Sequence, residues 1–255
     1  MPLPPRRERQ VPPLPMDFHP PLVSGRLVTR YKRFLADVRL DDPQRTLVTA
    51  HCANSGSMRG LCTPEAPVWL SPAAGKGRRL AWTWELVQDG HSWVGVHTGR
   101  ANALVGEALT AQRIPALAGG GLVQAEVSVA AGTRLDFRLD GGGSGPPCFV
   151  EVKSVTLLQE PGVAAFPDAV TLRGRKHLET LAQLAQNGAR AVILYVVQRN
   201  DCQRFMPAAA IDPNYAATLR TVMAAGVEAL VAYCRVSPLA LTLERTLPWE
   251  IPPSW

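Results

Sequence analysis

Nowhere in this 255-residue chain do eighteen apolar residues run together, so no segment has the length and hydropathy of a bilayer-spanning helix. The N-terminus alternates proline with arginine instead of building the apolar stretch of a secretory signal, and a cytoplasmic protein with no membrane partner is expected. Cysteine is scarce: Cys52, Cys62, Cys148, Cys202 and Cys234 make an odd number without a C-x-x-C pair, which argues against a disulfide framework and a zinc knuckle. Charge is modest, with 27 Lys and Arg against 21 Asp and Glu, a formal excess of +6. That excess is not spread evenly. Residues 1–36 carry seven cations (Arg6, Arg7, Arg9, Arg26, Arg30, Lys32, Arg33) against Glu8 and Asp17, a local +5 that leaves +1 for the rest. Such front-loading suits a polyanionic partner, through Coulomb attraction and counterion release.

The chain is long enough for two cores, and its pattern changes near the middle. Residues 1–20 are crowded with proline and arginine and read as an extended or disordered arm. From about 21 to 98 short β-like runs follow one another: Arg26–Leu40, Thr46–Cys52, Pro67–Leu70, Leu80–Val87 and Ser92–His97, divided by Asp-Pro, Asn-Ser-Gly and Asp-Gly breaks. Five strands suit an OB-fold-like barrel, a fold that grips nucleic acid with a basic groove and aromatic platforms. Arg30, Tyr31, Lys32 and Arg33, with Lys76, Arg78 and Arg79, are the candidate DNA-binding residues of this part. Trp82 and Trp84 share a strand face and are either barrel core or stacking surface.

Residues 99–248 read as a mixed α/β domain, with 249–255 as a tail. Ala101, Leu104, Val105, Ala108 and Leu109 form a helical stripe with Thr98 available as its cap. Strands Leu122–Val129, Arg134–Leu139 and Cys148–Leu157 follow, then a helix Asp168–Asn187, a strongly apolar strand Ala191–Val197, a helix Pro213–Ala225 and a strand Val227–Arg235. The chemistry concentrates in the middle of this domain. In Phe149-Val150-Glu151-Val152-Lys153 the i, i+2 spacing puts Glu151 and Lys153 on one face of a strand and the valines on the other. The Gly/Pro-rich turn from Asp140 to Pro147 can bring Asp136 against Glu151 across an antiparallel pair. Two neighbouring carboxylates resist ionising together unless a cation lies between them, and oxygen ligands suit Mg²⁺ or Mn²⁺. A metal so held activates water and polarises a phosphoryl group, with Lys153 placed to neutralise developing charge. Asp136, Glu151 and Lys153 are therefore the candidate catalytic residues, with Asp136 and Glu151 as metal ligands. Arg175 and Lys176 in the following helix either meet phosphate or form a solvated face.

The order Asp, turn, Glu-x-Lys resembles the core of the PD-(D/E)xK nuclease superfamily. His51-Cys52-Ala53-Asn54-Ser55-Gly56-Ser57-Met58, Trp82-Thr83-Trp84-Glu85-Leu86, Glu151 through Leu157, Phe166 through Thr171 and Gly174-Arg175-Lys176-His177-Leu178 together resemble the sugar fermentation stimulation protein A family, from about residue 21 to about residue 248. The resemblance implies an OB-fold, a nuclease-like mixed α/β domain and DNA, single- or double-stranded, as partner. It also makes Glu107 a candidate third metal ligand from the first helix, or else an ordinary helix-face glutamate. Two functions follow: a Mg²⁺- or Mn²⁺-dependent nuclease, or a non-catalytic DNA-binding regulator of sugar metabolism that keeps the nuclease fold.

Overall fold

The computed structural model describes residues 15–73, 78–130, 132–141 and 145–249. Its first half contains β1 (Pro15–Asp17), β2 (Val23–Tyr31), β3 (Leu35–Leu40), β4 (Leu47–Cys52), β5 (Pro67–Pro72), β6 (Trp82–Asp89) and β7 (Ser92–Gly95). Five of these close a barrel in the order β4-β3-β2-β5-β6, the parallel β4–β6 contact of Ala50 with Trp82 completing the ring. The alternation in the sequence explains the closure. Ala36, Val38 and Leu40 of β3 point inward and meet Leu27, Ala50, Val68, Leu70 and Trp84 in one core. The N-terminal OB-fold-like barrel expected from the sequence is thus present, with two differences in detail. The run expected over 26–40 folds back on itself at Lys32 and Arg33, both at positive φ (49° and 63°), so it supplies two strands. The run ending at His97 supplies β7, which pairs with β6 outside the closed ring.

The second half contains α1 (Thr98–Thr110), β8 (Val123–Ala130), β9 (Thr133–Leu139), β10 (Cys148–Val155), β11 (Leu157–Glu160), β12 (Val163–Phe166), α2 (Leu172–Gln186), β13 (Arg190–Val197), β14 (Arg204–Pro207), α3 (Pro213–Ala224), β15 (Glu228–Val236) and β16 (Ala240–Thr246). A seven-stranded mixed sheet runs β1-β16-β15-β13-β10-β9-β8, with β10, β13 and β15 parallel at its centre. β13 is buried along nearly its whole length, as its continuous apolar run requires of a central parallel strand. The stripe Ala101, Leu104, Val105, Ala108 and Leu109 of α1 packs on one face with Val150, Val152 and Val192. Leu178 and Leu181 of α2 and Leu219 of α3 cover the other face with Ile193 and Tyr195. Of the arm expected over residues 1–20, residues 1–14 lie outside the described residues and 15–18 pack against the mixed sheet. Met16 and Phe18 are buried and β1 pairs with β16, because an alternating apolar pair satisfies a free sheet edge.

The two halves are joined by buried polar contacts. Arg199, 1% exposed, donates to Asp201, to the Thr156 carbonyl and, across the boundary, to Asp89 at 3.0 Å. Gly95 donates its backbone N–H to the Gln198 carbonyl, and the backbone N–H of Asn200 donates to Ser92 Oγ. Thr98 does not cap α1: its hydroxyl donates to the Ala53 carbonyl and ties the helix start to the barrel.

Candidate active site

The site forms where β9 and β10 part. Their antiparallel ladder pairs Cys148 with Leu139, Phe149 with Arg138 and Val150 with Phe137, and then stops. One step further, Asp136 takes the place of the ladder: its Oδ2 accepts the backbone N–H of Val152 at 2.7 Å. Its other oxygen accepts from Asn102 Nδ2 of α1 at 2.6 Å. The strand turns over here. Leu135 packs with the α2-side core and Phe137 with the α1-side core, although two residues so spaced on a regular strand share a face. On the neighbouring strand Glu126 has φ 56°, a strained conformation for a residue other than glycine.

Glu151 and Lys153 project from β10 on the side opposite Val150 and Val152, as the period of two requires. Glu151 is 2% exposed, and its Oε1 meets both Lys153 Nζ and His177 Nδ1 in close contact. Oε2 is buried and has no hydrogen-bond partner. His177 comes from α2, whose start is fixed by its neighbours. Thr171 Oγ1 caps it by accepting from Gly174, while Asp212 accepts the Thr171 N–H with one oxygen and caps α3 at Tyr215 with the other. Buried Gly174 lets this turn approach Tyr215, since a Cβ there would stand 2.8 Å from Thr171 and 3.2 Å from the Tyr215 ring.

Electrostatics separates the two acids. Burial, and then the charge of Glu151, pushes the Asp136 carboxyl up to about 6, against its two hydrogen bonds and Lys153. Burial also raises Glu151, but the His177 hydrogen bond and the Lys153 ammonium outweigh it and hold this carboxyl below its ordinary value. One acid is held ionised and the other resists ionising beside it. The pair suits a hard cation: it offers oxygen donors, one of them a buried lone oxygen, and its mutual repulsion would be relieved by positive charge. Among the described residues no group of three or more His, Cys, Asp or Glu converges as a metal cage. Mg²⁺ and Mn²⁺ bound by one or two carboxylates commonly complete their shells with water or substrate oxygen.

The acids line a cleft of about 870 Å³ between the barrel and the mixed domain. One wall is the loop Asn54-Ser55-Gly56 with Arg33, and the other is the segment from Phe166 to Arg173. Ser57 Oγ donates to the Asp168 carbonyl at 2.6 Å and the Met58 N–H donates to Asp168 Oδ2 at 2.9 Å, so the walls are tied at one end. Gly56 permits that approach, because a Cβ there would sit 2.5 Å from Asp168 Oδ2. Ser57 is therefore a structural hydroxyl, donating to a backbone oxygen. A second cleft of about 650 Å³ adjoins the first, sharing Glu126, Asp136, Leu172, Arg173 and His177 and adding Arg134 and Lys176. The acidic pair thus sits along a continuous groove.

The expected site residues distribute unevenly. Asp136, Glu151 and Lys153 come together. Glu107 does not join them: it is exposed and absent from both clefts, since five residues turn a helix by about 140° away from Asn102, the α1 residue that reaches Asp136. Of the expected DNA contacts, Lys32 and Arg33 are exposed at the hairpin tip, with Arg33 lining the cleft. Arg30 is half-buried and occupied instead, donating to the carbonyls of Arg33, Asn54, Gly56 and Ser57. Tyr31 donates to Asp37 at 3.1 Å. Lys176 lines the second cleft; Arg175 lines neither, and its Nε is buried without a partner. Arg78 and Arg79 are exposed away from both clefts, and Lys76 lies outside the described residues. Trp84 is barrel core, its indole N–H donating to the Leu86 carbonyl, and Trp82 packs partly against it. Sequence reasoning missed Asn102, Glu126, Arg173 and His177 as cleft residues. For His177 a signal existed in its i, i+4 relation to Arg173, two polar residues on one helix face just after the Glu-x-Lys strand.

Comparison with known proteins accounts for nearly the whole chain. Residues 28–96 match the SfsA N-terminal OB domain, and residues 99–240 match the sugar fermentation stimulation protein RE domain. A sugar fermentation stimulation protein homolog from Maricaulis maris is 48% identical over 92% of this chain and 99% of its own length. A homolog from Halorhodospira halophila is 53% identical over 84% of this chain and 89% of its own. The structure of Pyrococcus furiosus SfsA in complex with Ca²⁺ superposes with a TM-score of 0.83 at 24% identity, covering 92% of this chain and 98% of that one. With both domain matches in chain order and relatives aligned along most of their length, the chain belongs to the sugar fermentation stimulation protein family, SfsA.

Proposed function

We propose that this protein is a cytoplasmic DNA-binding phosphodiesterase that uses Mg²⁺ or Mn²⁺ held by Asp136 and Glu151. The observation that carries this reading is the buried pair of carboxylates with Lys153 in a groove that also presents Arg33 and Arg173, one acid raised by burial and by its neighbour's charge and the other keeping a buried oxygen free. A divalent ion there supplies Lewis-acid polarisation of a phosphoryl oxygen and lowers the pKa of a bound water. Lys153, fixed against Glu151 and His177, presents a cation where charge builds as the phosphodiester is attacked. Arg33 and Arg173 in the larger cleft, and Arg173 and Lys176 in the smaller, draw in the phosphate backbone. The Pyrococcus furiosus relative was solved with Ca²⁺, an oxygen-seeking cation of the same hard class. For this chain the metal reading rests on its own two acids.

The test is incubation of purified protein with labelled single- and double-stranded DNA and Mn²⁺. Cleavage by the native protein that is lost in both Asp136→Ala and Lys153→Ala supports the proposal. Cleavage surviving both substitutions is contamination. Salt-sensitive retention of DNA without cleavage makes the protein a non-catalytic binder.

A further inference from the structure

The hydrogen-bond chain from Arg173 through His177 to Glu151 specifies where a proton sits. Arg173 Nε donates to His177 Nε2 across 3.4 Å. A guanidinium has donors only, so Nε2 accepts; an ionised carboxylate accepts only, so the single proton of a neutral imidazole lies on Nδ1 and points at Glu151, with the Lys153 ammonium, 3.3 Å from Nδ1, donating to the same carboxylate and not to the ring. Nδ1 is the atom that meets Glu151 Oε1, the oxygen that Lys153 Nζ also reaches. Both donors take the same oxygen, and Oε2 is left buried without a partner.

We infer that His177 is a positioning residue: held in its Nδ1–H form by Arg173, it donates to Glu151 Oε1 and thereby reserves Oε2 for a hard divalent cation. The inference rests on the metal-dependent reading above and adds to it the group that orients one ligand. The geometry is well supported by the fold. His177 is 6% exposed, on a helix whose first turn is held by Thr171 and Asp212. Arg173 is exposed and lines both clefts, so the side chain that sets the imidazole proton is also one that an incoming phosphate meets. Orienting groups of this kind are worth about 10- to 100-fold in metal affinity.

Two measurements test it. The first is the imidazole ¹⁵N–¹H spectrum of the metal-free protein, in which the resonance of His177, one of five histidines, is identified by its loss in His177→Asn. The expected pattern is a protonated Nδ1 and a bare Nε2, shifting toward the Nε2–H form in the surface variant Arg173→Ala. An Nε2–H form in the native protein, or no change in Arg173→Ala, overturns the inference. The second is calorimetric Mn²⁺ binding. Asparagine places an amide N–H near the position of Nδ1 and glutamine near that of Nε2, so His177→Asn should keep affinity within about 3-fold while His177→Gln loses about 10- to 100-fold. Equal affinities, equal losses or the reverse order overturn it. A native protein that takes up no Mn²⁺ contradicts the metal-dependent reading instead, and the imidazole spectrum then decides the position of the proton independently.

Discussion

Replacing Asp136 by asparagine should make the metal-free protein more stable, and by an amount that depends on pH in a defined direction. Burial and the nearby Glu151 charge raise this carboxyl from 3.8 to about 6. A carboxyl whose pKa is higher in the folded state binds more protons folded than unfolded between those two values, so stability falls as pH rises through that window and is flat above it. Roughly two units at about 1.36 kcal/mol each give a penalty of about 3 kcal/mol for ionised Asp136 near neutral pH. Asparagine removes the charge and preserves both hydrogen bonds. Its carbonyl accepts the Val152 N–H, and Asn102 can turn its amide over to present oxygen to the new Nδ2. In chelator, Asp136→Asn should therefore gain up to about 3 kcal/mol at about pH 8, a rise in Tm of roughly 6–12 °C, and the gain should vanish toward about pH 4. Thermal unfolding of both proteins across that range is the assay. A difference that does not change with pH, or a variant less stable at about pH 8, would refute a carboxyl raised by burial and by the Glu151 charge.

Two further outcomes follow from cations that the sequence presents alike. Lys32→Gly relieves a positive φ and should stabilise the barrel by about 1 kcal/mol while weakening retention on DNA, whereas Arg30→Ala strips donors from four carbonyls and should destabilise it by about 2 kcal/mol. Urea unfolding and a salt-gradient DNA column separate the two effects, and the same response from both variants would contradict the distinct roles. At the boundary between the halves, Arg199→Ala should cost about 3 kcal/mol, because it leaves Asp89 and Asp201 partly buried and unpaired; unchanged denaturant midpoints would exclude this clasp as a source of stability.

Much of the architecture is legible in the sequence because it rests on short periods. Alternation places Glu151 with Lys153 and sends Ala36, Val38 and Leu40 into the barrel, and the five-residue stripe of α1 is the face that is buried. What is not legible depends on how elements turn against one another. The α1 stripe does not say which of its borders meets the cleft, and a rotation of about 140° exchanges Glu107 for Asn102. His177 reaches Glu151 only because α2 begins at Leu172 instead of Asp168, a start set by Thr171 and by Asp212 forty-one residues away. Asp168 stays in the loop and ties down the barrel. Arg30 differs from Lys32 through main-chain carbonyls that converge on it, and no residue type announces those. The end of the β9–β10 ladder is equally silent, since the carboxylate of Asp136 replaces a backbone hydrogen bond.

The central claim is that Asp136 and Glu151 share one divalent cation, and crystals soaked in Mn²⁺ test it most directly through the anomalous signal of the metal. The expected result is a peak between the two carboxylates, with Glu151 contributing Oε2, and no peak in Asp136→Asn. Saturating Mn²⁺ that leaves this position empty, or that binds elsewhere in the groove with both acids uninvolved, would contradict it.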